Sequence, residues 1–235
     1  MLTNTNYKDI NKSGFLPKPK RLFPLIRQIS YRVSPLLAQT GISPNLITLI
    51  GLITGIASAF AFAQGNHFWG ITAALLWAVC SLMDYCDGEV ARITGKSSRI
   101  GKYLDDVTDW VVHTFFFMGI GFGAEVITGN RLWLWLGVIA AIGTTISSWT
   151  NCLREWNRHR SGEEEPRMPG EVILPNNPKE NFIYVFRGLF RADFWLLIIF
   201  LELFHITWLL LPIFAIGTHV YWITGFVKGA DRFVP

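Results

Sequence analysis

From about residue 46 onward the chain repeats at the length scale of a bilayer, with long apolar stretches separated by short polar ones. Six stretches, 46–65, 67–86, 107–127, 131–152, 190–206 and 207–227, hold close to the roughly 20 residues a helix needs to cross a hydrocarbon core about 30 Å thick. The last two run together, and Pro212 and the neighbourhood of His205 and Thr207 predict a tight turn between them. Only helices and closed barrels satisfy their backbone in lipid, and these runs are continuous rather than alternating as barrel strands are. The pattern therefore predicts an all-α integral membrane protein with six transmembrane helices.

Ahead of the first span, residues 20–39 are amphipathic. Leu22, Leu25, Ile26, Ile29, Val33, Leu36 and Leu37 recur at helical spacing, with Arg21, Arg27 and Arg32 between them. A basic helix lying in the membrane interface is predicted, although Pro24 interrupts the pattern. Ser43-Pro44-Asn45 then starts the first span, with Ser43 as N-cap and Pro44 at the first helical position.

Composition agrees with a chain surrounded by lipid. Hydrophobic residues make up 51%, charged residues 16%, and the mean hydropathy is +0.33, against about 25% charged residues in an ordinary soluble chain. No long polar linker divides the chain. A cytoplasmic arm over 1–19 and one membrane domain over 20–235 are expected. Residues 1–20 are polar and carry Lys8, Lys12 and Lys18. No secretory signal is expected there, and the first span serves as the insertion signal. Cys80, Cys86 and Cys152 have no metal-like or paired spacing and read as reduced.

Charge then orients the spans. Of the 21 Lys and Arg residues, all but Arg131 fall in the N-terminal arm, residues 92–102, residues 154–191 and the tail. The positive-inside rule makes those four segments cytoplasmic, with both termini inside. This distribution follows topology, and no nucleic-acid partner is expected.

The chemistry concentrates at the cytoplasmic ends of spans two and three. Asp84 and Asp87 are three apart and Asp105 and Asp109 four apart, so each pair shares a helix face. The connection between the helices is short, which predicts antiparallel neighbours with four carboxylates converging. Such a set repels itself unless a cation neutralises it, and ionisable residues at membrane depth mark function. All-oxygen ligands suit a hard cation, and Mg²⁺ or Mn²⁺ fits a phosphate-handling site. Gly88 and Gly101 permit close approach of backbone or nucleotide, and Arg92 offers a fork of donors to phosphate oxygens.

Written out, Asp84-x-x-Asp87-Gly88-x-x-Ala91-Arg92-x8-Gly101-x-x-x-Asp105-x-x-x-Asp109 resembles the signature of the CDP-alcohol phosphotransferases, with each position present at its spacing. The resemblance covers most of residues 20–230. It implies a homodimeric six-helix bundle whose cytoplasm-facing cavity takes a CDP-linked donor and two divalent metals. It implies that Asp84, Asp87 and Asp105 ligate one metal, and that Asp105 bridges to a second held also by Asp84 and Asp109. Asp109 is then also the general base toward the acceptor hydroxyl. Gly88, Ala91 and Arg92, with Gly101, line the cytidine and diphosphate site, Ser98 helps hold the donor, and Asn45 and Thr48 touch the nucleotide. The reaction implied moves a phosphatidyl-type group from a CDP-alcohol, foremost CDP-diacylglycerol, to a small hydroxylated acceptor, releasing CMP.

The acceptor stays open at this point. Arg99, Lys102, Arg154, Arg158 and Arg191 are candidates for holding an acceptor phosphate, Arg154 and Arg158 being four apart at the end of span four; each also serves simple topology. Trp110 stands where several phosphate-accepting relatives carry Arg, which weighs against an inositol-phosphate acceptor. His113 either faces the cavity or packs between helices. Residues 161–181 read as a long cytoplasmic loop. Two other readings remain: CDP-choline or CDP-ethanolamine transfer to diacylglycerol, and an intramembrane cation transporter, for which acidic residues near midspan in several helices are expected.

Overall fold

The computed structural model describes residues 24–161 and 193–224, and every regular element among them is helical. They are α1 (Leu25–Gln39), α2 (Pro44–Ala63), α3 (His67–Thr94), α4 (Arg99–Thr128), α5 (Leu132–Ser161), α6 (Phe194–Leu203) and α7 (Leu211–Thr224), with a 3₁₀ turn at Thr207–Leu210 before α7. The N-terminal arm and the loop over 161–181, save for residue 161 itself, lie outside the described residues, as does Arg191.

Helix starts follow the local chemistry. At α2 the Ser43 hydroxyl accepts from the Leu46 N–H and Pro44 occupies the first turn, as the sequence predicts. Asn66 accepts from the Trp69 N–H at the start of α3, and α3 ends at Gly95, whose φ of +66° closes the helix in the left-handed region. Pro24 is the residue before α1, so its ring does not interrupt that helix.

By length and composition α2, α3, α4 and Leu132–Leu153 of α5 cross a membrane, while Phe194–Leu203 and Thr207–Val220 are apolar but shorter. The expected count of six is therefore met by four spans and two shorter helices among the described residues. The cause is a break at His205, whose φ is +57°. Ten residues of α6 rise only about 15 Å, half of the hydrocarbon core. Pro212 sits in the first turn of α7 rather than in the break, where its ring is tolerated. Helices α3, α4 and α5 also run past the expected boundaries: α3 continues to Thr94 and α4 begins at Arg99. The whole aspartate signature is thus helical, apart from the short connection between these two helices.

The core is organised around α2, which packs against both α3 and α4. Its buried face carries small residues (Gly51, Gly55, Ser58 and Ala59) at helical spacing. Without a hydrophobic drive between helices in lipid, small residues let backbones approach closely. At Gly119 of α4 an added Cβ would run into the Ala59 carbonyl, and at Gly123 into that of Phe62. α3 and α4 are antiparallel neighbours, as the short connection predicts. Both pack on α2, and they are not among the extensively packed helix pairs. They meet through side chains: the Trp77 ring lies 3.9 Å from Phe116 and edge-on to His113 at 5.4 Å. α2 occupies the seam, so α3 and α4 form a hairpin with a gap between its arms.

The interfacial helix docks with part of its apolar stripe together with two serines, Val33 and Leu37 packing beside the buried face. Its buried residues are Ile26, Ser30, Ser34 and Ala38, four apart, while Ile29 and Leu36 point outward. Ser30 and Ser34 donate to the Glu89 carboxylate of α3 at 3.0 and 2.6 Å. The buried Asp193 accepts the N–H groups of Leu25 and Ile26 at 2.7 and 2.9 Å, which satisfies two open donors of α1. Ile29 and Leu36 are left facing outward, as an interfacial helix requires.

Placing a branched residue at Gly119 should separate α2 from α4. Gly119→Val is expected to cost about 1–3 kcal/mol or more, read as a lowered melting temperature of the detergent-solubilised protein. Gly217→Ala, where an added Cβ meets nothing within 4 Å, should melt at or above wild type.

Candidate active site

The signature residues lie along the facing ends of α3 and α4. Asp87 is buried and accepts from the Thr48 hydroxyl of α2 at 2.7 Å. Thr48 is itself buried, four residues into the first turns of α2. Asp84 and Asp105 are half-buried and Asp109 is open to solvent. Asp84 and Asp109 lie within hydrogen-bonding reach across the hairpin gap. Their positions, like those of Trp77 and Phe116 below them, are symmetric about the Gly95–Ser98 connection, as an antiparallel hairpin demands.

The four aspartates cluster at the facing ends of α3 and α4, each within electrostatic reach of the other three. Among the described residues, the trio of His, Cys, Asp or Glu side chains close enough to hold an ion as it stands is at the other end of the bundle. The set still suits a hard divalent cation. Two carboxyl groups in hydrogen-bonding reach of each other leave a place for a cation between them, and the four aspartates offer oxygen ligands only.

Around the carboxylates stand the residues expected at a donor site. Arg92 is exposed and folds back over Gly88, where an added Cβ would meet its Nη1 at 3.3 Å. Ala91 is half-buried in the last turns of α3, and its carbonyl accepts from the Lys96 N–H. Ser98 caps α4, its hydroxyl accepting from the Gly101 N–H at 3.0 Å. A Cβ at Gly101 would approach that hydroxyl to 3.1 Å and the Asn45 Oδ1 to 3.3 Å. Asn45, Ser98 and Gly101 therefore come together, although they belong to different helices. They do so at the N-terminus of α4, a 30-residue helix whose open N–H groups and dipole favour an anion.

The remaining candidates separate. Arg99 is exposed in the first turn of α4. Arg154 and Arg158 lie in the last turns of α5, with side chains outside the described residues. Trp110 turns toward α5 and donates its indole N–H to the Thr145 hydroxyl at 3.1 Å. His113 packs between helices, with Nδ1 2.8 Å from the Asp109 carbonyl and its ring against Trp77. Two residues that hold the site together escape the sequence reading. Glu89 sits within the signature at an unassigned position, and Asp193 lies far along the chain. The one sequence signal for the first was the spacing of Ser30 and Ser34, four apart and therefore on one helix face.

Comparisons with known proteins bear on this arrangement. Residues 41–174 match the family described as CDP-alcohol phosphatidyltransferase. An archaetidylinositol phosphate synthase of Pyrococcus horikoshii is 30% identical over 57% of this chain and 67% of its own length. A phosphatidylinositol phosphate synthase of Streptomyces avermitilis is 37% identical over 35% of this chain and 33% of its own. A CDP-diacylglycerol–serine O-phosphatidyltransferase of Helicobacter pylori is 30% identical over 46% of this chain and 47% of its own. In most of these pairings the match spans half or less of the relative. The fold is similar to that of Mycobacterium tuberculosis phosphatidylinositol phosphate synthase solved with CDP-DAG bound. That likeness has a TM-score of 0.55 and 20% identity, covering 86% of this chain and 96% of that one.

The hydrogen bond to Asp87 can be tested apart from any activity. Thr48→Val keeps the shape and leaves a buried carboxyl with one donor fewer, at an expected cost of about 1–3 kcal/mol. The readout is the melting temperature, which Thr48→Ser should restore.

Proposed function

The chain belongs to the CDP-alcohol phosphatidyltransferase family, integral membrane transferases of phospholipid biosynthesis, and on that premise we propose that it transfers a phosphatidyl-type group from CDP-diacylglycerol to a small hydroxylated acceptor, with release of CMP. The observation that carries the reading is the facing of Asp84 and Asp109 across the α3–α4 gap, with Asp87 fixed by Thr48 beside them. A cation transporter is set aside by family membership.

In this reading the donor's diphosphate lies at the ends of α3 and α4. Arg92 donates to its oxygens, the open N–H groups at the start of α4 face it, and Gly88 and Gly101 leave room for its approach. Asn45, Thr48, Ala91 and Ser98 border the cytidine. Asp84, Asp87 and Asp105 hold one divalent cation, Mg²⁺ or Mn²⁺, and Asp105, Asp84 and Asp109 a second. Bound there, the cations supply neutralisation of the diphosphate and of the departing CMP. Asp109, solvent-open on α4, accepts the proton of the acceptor hydroxyl. The acceptor oxygen forms its bond to the lipid-bearing phosphorus as the bond from that phosphorus to CMP breaks. Asp109 keeps a fixed position because it shares a helix with Asp105 and faces Asp84.

The reading includes six spans with both termini and the site on the cytoplasmic side, a membrane domain over 20–235 and a homodimer. It is supported by the placement of all but one of the Lys and Arg residues on one side of the predicted spans. For the acceptor, two considerations oppose each other. Relatives named for inositol phosphate products are among the similar proteins. Yet Trp110 occupies the position next to Asp109 and spends its donor on Thr145, which leaves Arg99, Arg154 and Arg158 as the cationic candidates for an acceptor phosphate.

Asp109→Asn should lower CMP release from CDP-diacylglycerol by roughly 10²–10⁴-fold while leaving the melting temperature near wild type; wild-type turnover in that variant removes the base assignment. A panel of inositol phosphate, glycerol phosphate and serine with CDP-diacylglycerol, alongside CDP-choline with diacylglycerol, identifies donor and acceptor. Activity in none of these pairings counts against the reading as a whole.

A further inference from the structure

At the end of the bundle opposite the aspartates lies a second group of ligand-bearing side chains. His67 is the first residue of α3, and Glu202 and His205 flank the break after α6. One ligand atom from each, two imidazole nitrogens and a carboxylate oxygen, lie within 4.8 Å of one another. The distance from Asp84 along α3 is 17 residues, or about 25 Å of helix rise, so the two groups are separate.

The surroundings resemble a support for metal ligands more than an accidental cluster. Glu202 is buried, and Thr207, also buried, donates its hydroxyl to Glu202 Oε2 at 2.6 Å. Glu202 Oε1 lies 2.9 Å from His205 Nδ1. The His205 backbone takes the left-handed region at φ +57°, rare for a non-glycine residue. It is held there by its N–H donating to the Glu202 carbonyl and by the Trp208 indole donating to its own carbonyl. Gly70 is what admits the carboxylate to α3, since a Cβ there would collide with Glu202 Oε1. The imidazoles of His67 and His205 meet edge to face at 5.4 Å, and a cavity of about 20 Å³ bordered by Gly70, Glu202 and His205 adjoins them. That is room for about one water molecule.

We infer that His67, Glu202 and His205 form a metal site for a first-row transition ion of the zinc class, tying the start of α3 to the α6–α7 break. Two imidazoles and one carboxylate are a zinc-type donor set, and imidazole disfavours magnesium and calcium. Around tetrahedral zinc at 2.0–2.1 Å bonds, ligand atoms stand roughly 3.4 Å apart, so from separations within 4.8 Å the trio closes by about 1.4 Å at most. Thr207 orients the carboxylate, as outer partners of metal ligands commonly do. The adjoining cavity leaves the fourth position to water. Its consequence is structural: the short α6 is fastened to a full-length helix.

The test is zinc binding to the purified full-length protein in detergent, measured by calorimetry in excess Mg²⁺ so that hard-cation sites are filled. Wild type should take up one Zn²⁺ at micromolar or lower Kd and melt higher with zinc than without. His67→Ala and His205→Ala should each weaken binding at least tenfold and abolish the zinc-dependent rise in melting temperature. His67 is exposed, so its alanine variant should melt with wild type when zinc is absent; if it melts early, His67→Gln takes its place in the comparison. Zinc affinity unchanged by loss of His67, or no zinc uptake by wild type in Mg²⁺, overturns the site.

Discussion

The small-residue face of α2 is the constraint on which the rest of the bundle depends. Gly51, Gly55, Ser58 and Ala59 allow α3 and α4 to close on α2 from both sides. The cost of that closeness is that α3 and α4 cannot close on each other. Their separation is bridged by Trp77 on Phe116 toward the middle of the bundle and by Asp84 facing Asp109 above it. A gap lined with carboxylates over an aromatic floor follows from glycines that never touch it. In lipid this is the available route, because helix association there rests on backbone proximity and not on expulsion of water.

Much of this was legible in the residues, and the reasons are local. The Ser43-Pro44 start of α2 and the all-helical class depend on short-range backbone chemistry and on length, which sequence states directly. The aspartate signature was legible because its spacing is fixed within two helices joined by a tight turn. The break near His205 was also visible, although the residue that makes it is His205 in the left-handed region and not Pro212. What escaped is what depends on distant partners. The burial of Ser30 and Ser34 on α1 could not be read from its apolar stripe, because it depends on Glu89 of α3, which gives their hydroxyls an acceptor. The short connection made α3 and α4 legible as neighbours, while the packing of both on α2 could not be read from it.

Carboxylates among the described residues fall into two kinds, and their partners distinguish them. Glu89 takes two serine hydroxyls, and Asp193 takes two backbone N–H groups. Each is satisfied by neutral donors from another element and joins that element to its own. A carboxylate so satisfied is a fastening, since its lone pairs are already directed at protein. Asp84 and Asp109 are arranged otherwise, each turned toward another carboxyl across a solvent-reached gap. Groups of like charge held face to face gain nothing for the fold; they are arranged for something that comes between them.

Glu202 stands between these kinds, and that position is informative. One of its oxygens is fastened by Thr207 in the manner of Glu89, while the other faces an imidazole with a second imidazole close by. A purely structural carboxylate at a helix break needs a hydroxyl or a backbone N–H, and Thr207 already provides one. It needs neither a second histidine at the start of α3 nor a glycine at position 70 that lets it cross to that helix. The same principle that reads Asp84 and Asp109 as a site, namely partners in excess of what satisfaction requires, applies here with nitrogen in place of oxygen. The donor chemistry then separates the two ends of the bundle: all-oxygen and suited to a hard ion with phosphate at one end, mixed imidazole and carboxylate suited to a softer ion at the other.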